Sequence, residues 1–482
     1  MKISEIIYKE EYIMSLADEE LEFSRIVTNP KNVDKGSLLI IPNSERTENN
    51  IELPEKPVAI ICDTKCVLPE NIPVIRVSNP RLAMANAYFR YEKISTDNLK
   101  IIGITGTNGK SSTAIFIKKI LSECNHKVGY IGTGIIEIDG KIVSSPHYSM
   151  TTPDPELLYR SIKQMQDEGC DTVIMEVSSH ALALDKVTPI LFDYALFTNF
   201  SPEHIDFHGD LEEYFLAKLR LFDRCKCGVF NIDDEKARRA YAMCKARRLS
   251  TGIIWRGNVW ASNIENHRLD GINYLYHGGS FSFKMNLRLA GVYNAYNTML
   301  AATVCIDMGC KPCDVKRILG EISSLPGRFE IINDRISVII DYAHTDYAFE
   351  NIMKELSLAK GDKKLTVVFG CGGNRDKTKR PRMAAIAEKY ASRIILTADN
   401  SRNEDVKDII SDIIRGFKDG KYEVIENRRD AIRAALLCAD DGDVVAIIGK
   451  GPERYNIDNN GYSDFNEKEI VMSALEERRV IR

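Results

Sequence analysis

A chain of 482 residues, 44% hydrophobic and 28% charged, carries enough apolar surface for about three domains. Lysine and arginine total 65 against 69 acidic residues, and the formal net charge of −4 argues against a nucleic-acid coat or a polybasic membrane anchor. No apolar run reaches the ~18–20 residues of a membrane-spanning helix. The segment Met1–Glu10 is charged at Lys2, Glu5, Lys9 and Glu10 and has no secretory core. Twelve cysteines are too sparse for a disulfide scaffold, and Cys310-Lys-Pro-Cys313 lacks the second pair that a zinc site needs. The expectation is a cytoplasmic protein with plain thiols and with neither a nucleic-acid nor a membrane partner.

Residues 1–97 hold short apolar runs, Ser37–Ile41, Val58–Ile61 and Val74–Val77, divided by proline, asparagine and charge. They predict a small α/β domain, with Ser95-Thr-Asp-Asn98 as linker. From 98 to 326 the pattern runs strand, glycine loop, helix, strand, which predicts a parallel sheet with crossover helices. Within it Gly252–Met285, with Trp255, Trp260, Tyr274 and Tyr276, reads as a β-rich excursion. From 327 to 482 strands are predicted at Ser337–Ile340, Leu365–Phe369, Arg393–Leu396, Tyr422–Ile425 and Val444–Ile448. Polar loops follow most of them: Asp341-Tyr-Ala-His344, Gly370-Cys-Gly-Gly-Asn-Arg375, Asp399-Asn-Ser-Arg402 and Gly449-Lys-Gly-Pro-Glu453. In an open α/β sheet these share the carboxyl edge, where ligands bind. The fold class is α/β in three parts: a small N-terminal domain, a central phosphate-loop domain with a parallel sheet, and a Rossmann-like C-terminal domain.

The strongest chemical signal is Leu99-Lys-Ile-Ile-Gly-Ile-Thr-Gly-Thr-Asn-Gly-Lys-Ser-Ser112. An apolar strand runs into Gly106, Thr107, Asn108 and Gly109, and Lys110, Ser111 and Ser112 open a helix. Glycines let backbone N–H groups approach phosphate oxygens, and the helix N-terminus favours an anion. Lys110 would reach the β/γ-phosphates and Ser111 would offer its hydroxyl to Mg²⁺. The loop is a variant, with Ile104 where the general pattern has glycine.

Two further strands end in polar residues: Thr172-Val-Ile-Met-Glu-Val-Ser-Ser-His180 carries Glu176, and the strand from Tyr194 is followed by Glu203, His204, Asp206 and His208. A carboxylate and an imidazole from neighbouring strand ends can coordinate Mg²⁺ or orient its waters. Lys218 lies on an apolar helical stripe with Leu211, Tyr214, Phe215, Leu219 and Phe222. A lysine facing inward must snorkel, pair with Glu203 or Asp206, or be modified; carbamylation by CO₂ would turn its ammonium into a metal-binding anion.

Together these motifs resemble the Mur ligases, most closely the MurE type, in order over almost the whole chain. Thr105–Ser112 resembles the family's ATP loop. Met175-Glu-Val-Ser-Ser-His180, Thr198-Asn-Phe-Ser-Pro-Glu-His204 and Ala217-Lys218 resemble its metal and carbamylated-lysine segment. Asn294 and Asn297 resemble its adenine contacts, and Pro326-Gly-Arg-Phe-Glu330 with Asp341-Tyr-Ala-His-Thr345 its interdomain nucleotide contacts.

The resemblance implies an ATP-dependent amide ligase of peptidoglycan precursor synthesis. It would join meso-diaminopimelate, or another diamino acid such as L-lysine, to UDP-MurNAc-L-Ala-D-Glu through an acyl phosphate. ATP would meet Gly106, Thr107, Asn108, Gly109, Lys110, Ser111, Ser112, Asn294, Asn297, Arg328, Asp341 and His344. Mg²⁺ would be held through Ser111, Glu176, His204 and carbamylated Lys218, with Lys110, Lys218, His204 and Glu176 forming the catalytic set. Thr151, Thr152, Ser178 and Lys186 match the UDP-peptide segment, and Arg375, Asp399, Asn400, Arg402, Gly449 and Glu453 the amino-acid site. A monomer is expected.

Arg402 corresponds to the arginine by which diaminopimelate-adding members pair the distal carboxylate bidentately. The run Arg375, Lys377, Lys379, Arg380, Arg382 otherwise reads as a solvated face. The chain departs from the family at Leu184, where glutamine is usual, at Lys186 (arginine), Ser401 (proline) and Pro452 (histidine), and at Val27-Thr-Asn-Pro30. Leucine cannot hydrogen-bond a peptide or sugar, and lysine lacks the planar fork. The same chemistry on a different carboxylate is therefore the alternative, and a phosphate-loop kinase a more distant one.

Overall fold

The computed structural model describes residues 1–8, 11–42, 52–68, 71–144 and 150–481. Three large sheets follow one another along the chain. The first has five strands in the order Tyr12–Ser15, Val74–Val77, Ala59–Cys62, Ser37–Ile40, Arg25–Val27, parallel except for the antiparallel first strand. The predicted runs at 37, 58 and 74 are its interior. The helix Pro80–Tyr91 follows, capped by the Asn79 side chain. Asn79 also donates to Asp185 at 2.9 Å, which ties this first unit to the next.

The second sheet has eleven strands. Seven run parallel, with Lys100–Thr105 between Phe192–Phe197 and Thr172–Glu176. Lys100–Thr105 is buried from Ile101 onward, which accounts for its continuous apolar sequence. Because Lys100–Thr105 and its two neighbours run parallel, the phosphate loop and the polar segments after Glu176 and Phe197 emerge on one edge. The β-rich excursion is an antiparallel meander of Val259–Asn266, Ile272–Gly278 and Phe281–Leu287.

The third sheet orders Glu330–Asn333, Ser337–Asp341, Val444–Ile448, Leu365–Phe369, Arg393–Leu396 and Glu423–Val424. Only the first strand is antiparallel. The predicted strand Tyr422–Ile425 shortens to two exposed edge residues. A hairpin, Tyr455–Asp458 with Gly461–Asp464, folds over the loops at the carboxyl edge. Among the described residues no helix is long and apolar enough to cross a membrane, and all twelve cysteines are free.

Candidate functional site

Gly109 takes φ 83° at the entrance to the helix Lys110–Glu123, and a Cβ there would meet Asn297 Oδ1 at 2.5 Å. Gly106 has φ 141°, and a Cβ would overlap Thr198 Oγ1. Both positions need glycine for conformation and for space. The loop is clamped from the neighbouring strand end. Thr198 Oγ1 donates to the Asn108 carbonyl at 2.6 Å, and the Asn199 side chain bonds both the N–H and the carbonyl of Asn108. Thr107 N–H donates to the Asn199 carbonyl at 2.8 Å.

Lys110 folds back on the loop, donating to the carbonyls of Gly106 at 3.0 Å and Thr107 at 2.8 Å. Lys218, only 2% exposed, donates to the same Gly106 carbonyl at 2.9 Å and lies over the Tyr214 ring. It neither snorkels nor forms an ion pair with Glu203 or Asp206, because the helix Leu211–Leu219 packs that face against the loop. Leu211, by contrast, turns out to solvent. Burial, reinforced by the charge of Lys110, drives the Lys218 pKa well below the usual lysine range.

Glu176 ends its strand against Ser111. The Ser111 hydroxyl donates to Glu176 Oε2 at 2.9 Å and accepts from Arg328 at 3.0 Å, while Tyr130 OH donates to Oε1 at 2.6 Å. Arg328 comes from the turn before the third sheet, so this contact crosses between the second and third units. A second crossing joins Glu203 to His344 at 3.6 Å, and Lys379 donates to the His344 carbonyl at 2.7 Å. Burial raises the Glu203 pKa, but the His344 hydrogen bond and the nearby His204, His344 and Lys110 more than reverse it, leaving a carboxylate held below its ordinary range.

His204 sits in a left-handed conformation, φ 56°, capping the turn Ile205–His208. Its ring packs edge-on to His180, 4.7 Å between centroids. Burial lowers both imidazoles to about 4, so both are neutral at neutral pH. The four residues expected on Mg²⁺ are thus split: Ser111 and Glu176 touch, His204 keeps company with Glu203 and His180, and Lys218 lies behind the loop. Among the described residues no cage of three or more His, Cys, Asp or Glu exists. A hydroxyl and a carboxylate are hard oxygen donors of the kind Mg²⁺ accepts while keeping water and phosphate ligands.

The residues also fit a nucleotide. Asn294 donates to the Ala290 carbonyl at 2.8 Å, yet its Oδ1 is buried without a partner, as is Arg328 Nε. Two polar atoms left so in a packed interior mark groups that a ligand completes. Asp341 is spent structurally, accepting from Phe329 N–H and Ala343 N–H at 2.6 Å each, and its burial raises its pKa.

Thr152 Oγ1 donates to the Glu176 carbonyl at 2.9 Å and accepts from Ser178 N–H at 3.0 Å, while Thr151 accepts from Thr133. Lys186 pairs with Asp154 at 2.7 Å. Leu184 merely ends the helix Ser179–Ala183 that Ser178 caps.

In the third sheet Asn400 donates to Glu453 at 2.7 Å, while its Oδ1 accepts from Lys450 at 2.8 Å and Ile457 N–H at 3.0 Å. Asp399 lies beneath Gly449, where a Cβ would approach its Oδ2 to 2.6 Å. Arg402, φ 53°, donates through one nitrogen to the carbonyls of Gly373 and Asn400. Pro452 packs on the Gly327 turn, whose Cβ position lies 2.1 Å from its nitrogen. The basic run is not a uniform solvated face: Arg380 is fully buried and bonds Glu404 and Asp412, because its helix packs that side inward. Sequence reasoning left out of the site Tyr130, Lys450 and Tyr342, whose ring centroid lies 4.4 Å from the Arg328 guanidinium. Lys450 alone carried a local signal, a lysine between two glycines at a strand end.

Residues 104–305 match the Mur ligase middle domain, and residues 327–451 match the Mur ligase, glutamate ligase domain. The UDP-N-acetylmuramoyl-L-alanyl-D-glutamate--2,6-diaminopimelate ligase 1 of Clostridium acetobutylicum is 35% identical over 99% of this chain and 100% of its own. The similarly named ligase of Caldanaerobacter subterraneus is 39% identical over 87% of each. A solved structure of a UDP-N-acetylmuramoyl-L-alanyl-D-glutamate--2,6-diaminopimelate ligase superposes with a TM-score of 0.68 at 26% identity, covering 99% of both chains. The phosphate loop, the clamp that holds it and these full-length similarities lead to one conclusion: the chain belongs to the Mur ligase family.

Proposed function

We propose that this ligase joins meso-diaminopimelate to UDP-MurNAc-L-Ala-D-Glu at the expense of ATP, in three domains divided near residues 97 and 326. The observation that carries the reading is the shared cleft. The loop of Lys110 and Ser111 meets Arg328 across it, and the polar loops of Arg375, Arg402, Asn400 and Glu453 come from the third sheet, as a reaction between a phosphorylated carboxylate and an amino acid requires. Relatives that match nearly the whole chain carry the name of this activity.

The glycine loop N–H groups and Lys110 receive the phosphates, Asn294 and Asn297 the base, and Arg328 and His344 close over the nucleotide. Mg²⁺ held through Ser111, Glu176, His204 and carbamylated Lys218 would neutralise charge that develops as the γ-phosphoryl moves to the carboxylate. Thr151, Thr152, Ser178 and Lys186 hold the UDP-linked peptide. Attack of the amine on the acyl phosphate then forms the C–N bond and releases phosphate with the electrons of the broken C–O bond.

Phosphate release from ATP is expected to require both the dipeptide nucleotide and diaminopimelate, with tripeptide product by mass spectrometry and little release with L-lysine. No release with either amine, from protein that still binds ATP·Mg²⁺, would move the ligase to another carboxylate. Release without any amine would make it a kinase or hydrolase.

Arg402 has guanidinium nitrogens to spare after its backbone bonds. Arg402→Ala is expected to raise the KM for diaminopimelate by about tenfold or more, the worth of a hydrogen-bonded charge pair, with the KM for ATP essentially unmoved. Steady-state titration of each substrate decides it, and equal small effects on both would remove Arg402 from the acceptor site.

A further inference from the structure

A cavity of about 450 Å³ opens between the second and third units, lined by Asp206 on one side and by Asn374, Arg375, Asp376, Lys377 and Glu404 on the other. Most of its charges are already committed. Glu404 bonds Arg380, Lys377 and Asn374 N–H, and Asp376 accepts from Thr378 and faces Arg382. Two remain: among the described residues neither Asp206 nor Arg375 forms a side-chain hydrogen bond or ion pair. Arg375 and Asp206 both stand exposed at the open mouth of the cavity; the protein around Arg375 and the charge of Arg402 lower its pKa, while Tyr342, Asp206 and Glu453 oppose them. A guanidinium so placed is improved by an anion.

Asp206 is held where it is by its neighbours. The turn Ile205–His208 is pinned by Phe207 tilted against the His180 ring, 4.1 Å between centroids, and by His208, whose Nε2 lies 3.0 Å from Ser179 Oγ. Gly209, φ 85°, ends the turn. Phe207 and His208 thus contact their own unit, Phe207 remaining partly exposed, and Asp206 lines the cavity. The Glu203–His344 contact, three residues away, already brings the two units together at this place. A cavity with a guanidinium on one wall and a carboxylate on the other, near enough to feel each other's charge but not in contact, suits a zwitterion that spans the gap.

We infer that Asp206 is an amine-positioning residue: it accepts hydrogen bonds from the amino group of the incoming amino acid while Arg375 holds a carboxylate of the same molecule. The inference rests on the proposed ligase reading and adds to it a contact from the second unit, so that the amino-acid site is complete only when both units contribute. Asp206 lies two residues from His204, which places the amino group it holds on the side of the cleft where the acyl phosphate forms. The specificity this gives is for a free amino group at that end; a dicarboxylate without one gains nothing from Asp206.

The test uses the full-length enzyme. Asp206→Asn is expected to raise the KM for diaminopimelate about tenfold, the loss of a charge-assisted bond, and to leave the KM for ATP unchanged; Asp206→Glu recovers part of the loss. Pimelate, which has both carboxylates and no amine, is the control: its inhibition constant is expected to be the same in wild type and Asp206→Asn, and higher in Arg375→Ala. An unchanged KM for diaminopimelate in Asp206→Asn overturns the inference while the ligase reading stands. A matching rise in the pimelate constant also overturns it, since the turn would then be shaping the cavity rather than holding an amine. If wild type uses neither diaminopimelate nor L-lysine, the ligase reading and this inference fall together.

Discussion

Lys218→Ala is expected to lose turnover by about 10³-fold or more, the scale of removing a group that stabilises transition-state charge, while ATP still binds. The expectation starts from burial. Lys218 is 2% exposed, has no carboxylate partner, and shares the Gly106 carbonyl with Lys110. Two ammonium groups on one carbonyl, one of them out of water, is an unfavourable arrangement. A neutral amine relieves it, and addition to CO₂ goes further: the N–C bond forms, one proton leaves, and the product is an anion beside the Lys110 charge. Such an anion would be able to hold Mg²⁺, which would supply charge neutralisation for phosphoryl transfer. Added bicarbonate is not expected to restore Lys218→Ala, because the amine that would carry CO₂ is gone. Wild type supplied with ¹³C-bicarbonate is expected to show a carbamate carbon resonance that the variant lacks. ATP affinity by calorimetry is expected to be nearly unchanged, since Asn199 and Thr198 still clamp the glycine loop at Asn108 and Lys110 still bonds the Thr107 carbonyl. Full activity in Lys218→Ala would remove the modified-lysine role.

What could be read from the chain before its fold was largely what local physics dictates. The strands Leu365–Phe369, Arg393–Leu396 and Val444–Ile448 appear at their predicted bounds, since strands covered on both faces are continuous apolar runs. Glu330–Asn333 was not read as a strand, because its place comes from antiparallel pairing with Ser337–Asp341 rather than from its own period. The edge strand Glu423–Val424 shrank for a related reason: both residues are exposed, so burial does not extend it. At the site, glycines and the lysine after them were legible because a phosphate loop is contiguous. The Tyr130 bond to Glu176 was not, because it joins residues 46 apart through strand order. Arg380 looked like one more cation in a basic run; only the packing of its helix shows it buried between Glu404 and Asp412. Asp206 and Arg375 share a cavity only because two units meet.

Arg428→Ala is expected to destabilise the third unit by about 3–5 kcal/mol, the usual result of leaving half of a buried ion pair behind. Arg428 Nε donates to Glu467 Oε1 at 2.6 Å with both side chains at most 2% exposed. Its other nitrogens donate to the carbonyl of Ile448 at 3.0 Å and of Ala398 at 3.3 Å. These carbonyls immediately precede Gly449-Lys-Gly and Asp399-Asn-Ser, so one guanidinium ties two loops of the proposed amino-acid site to the helix Glu467–Ile481. The variant should therefore raise the KM for the amino acid and spare that for ATP.

The pH dependence has a definite sign. Burial raises the Glu467 pKa even with Arg428 opposing it, and without Arg428 it rises further. A carboxyl whose folded pKa exceeds its unfolded one contributes full stability below the unfolded value and loses it as pH rises through the folded value. The deficit of Arg428→Ala is thus expected to be largest at neutral and alkaline pH and to shrink as the medium is acidified toward the ordinary glutamate range. Calorimetric melting across that range checks it, following the transition of the third unit. Adding Glu467→Gln to Arg428→Ala replaces the buried charge with a neutral amide and should recover part of the loss at neutral pH while abolishing its pH dependence. A deficit that stays constant with pH in Arg428→Ala would mean that Glu467 finds another cation or water, and that the lost bonds to Ile448 and Ala398 set the cost.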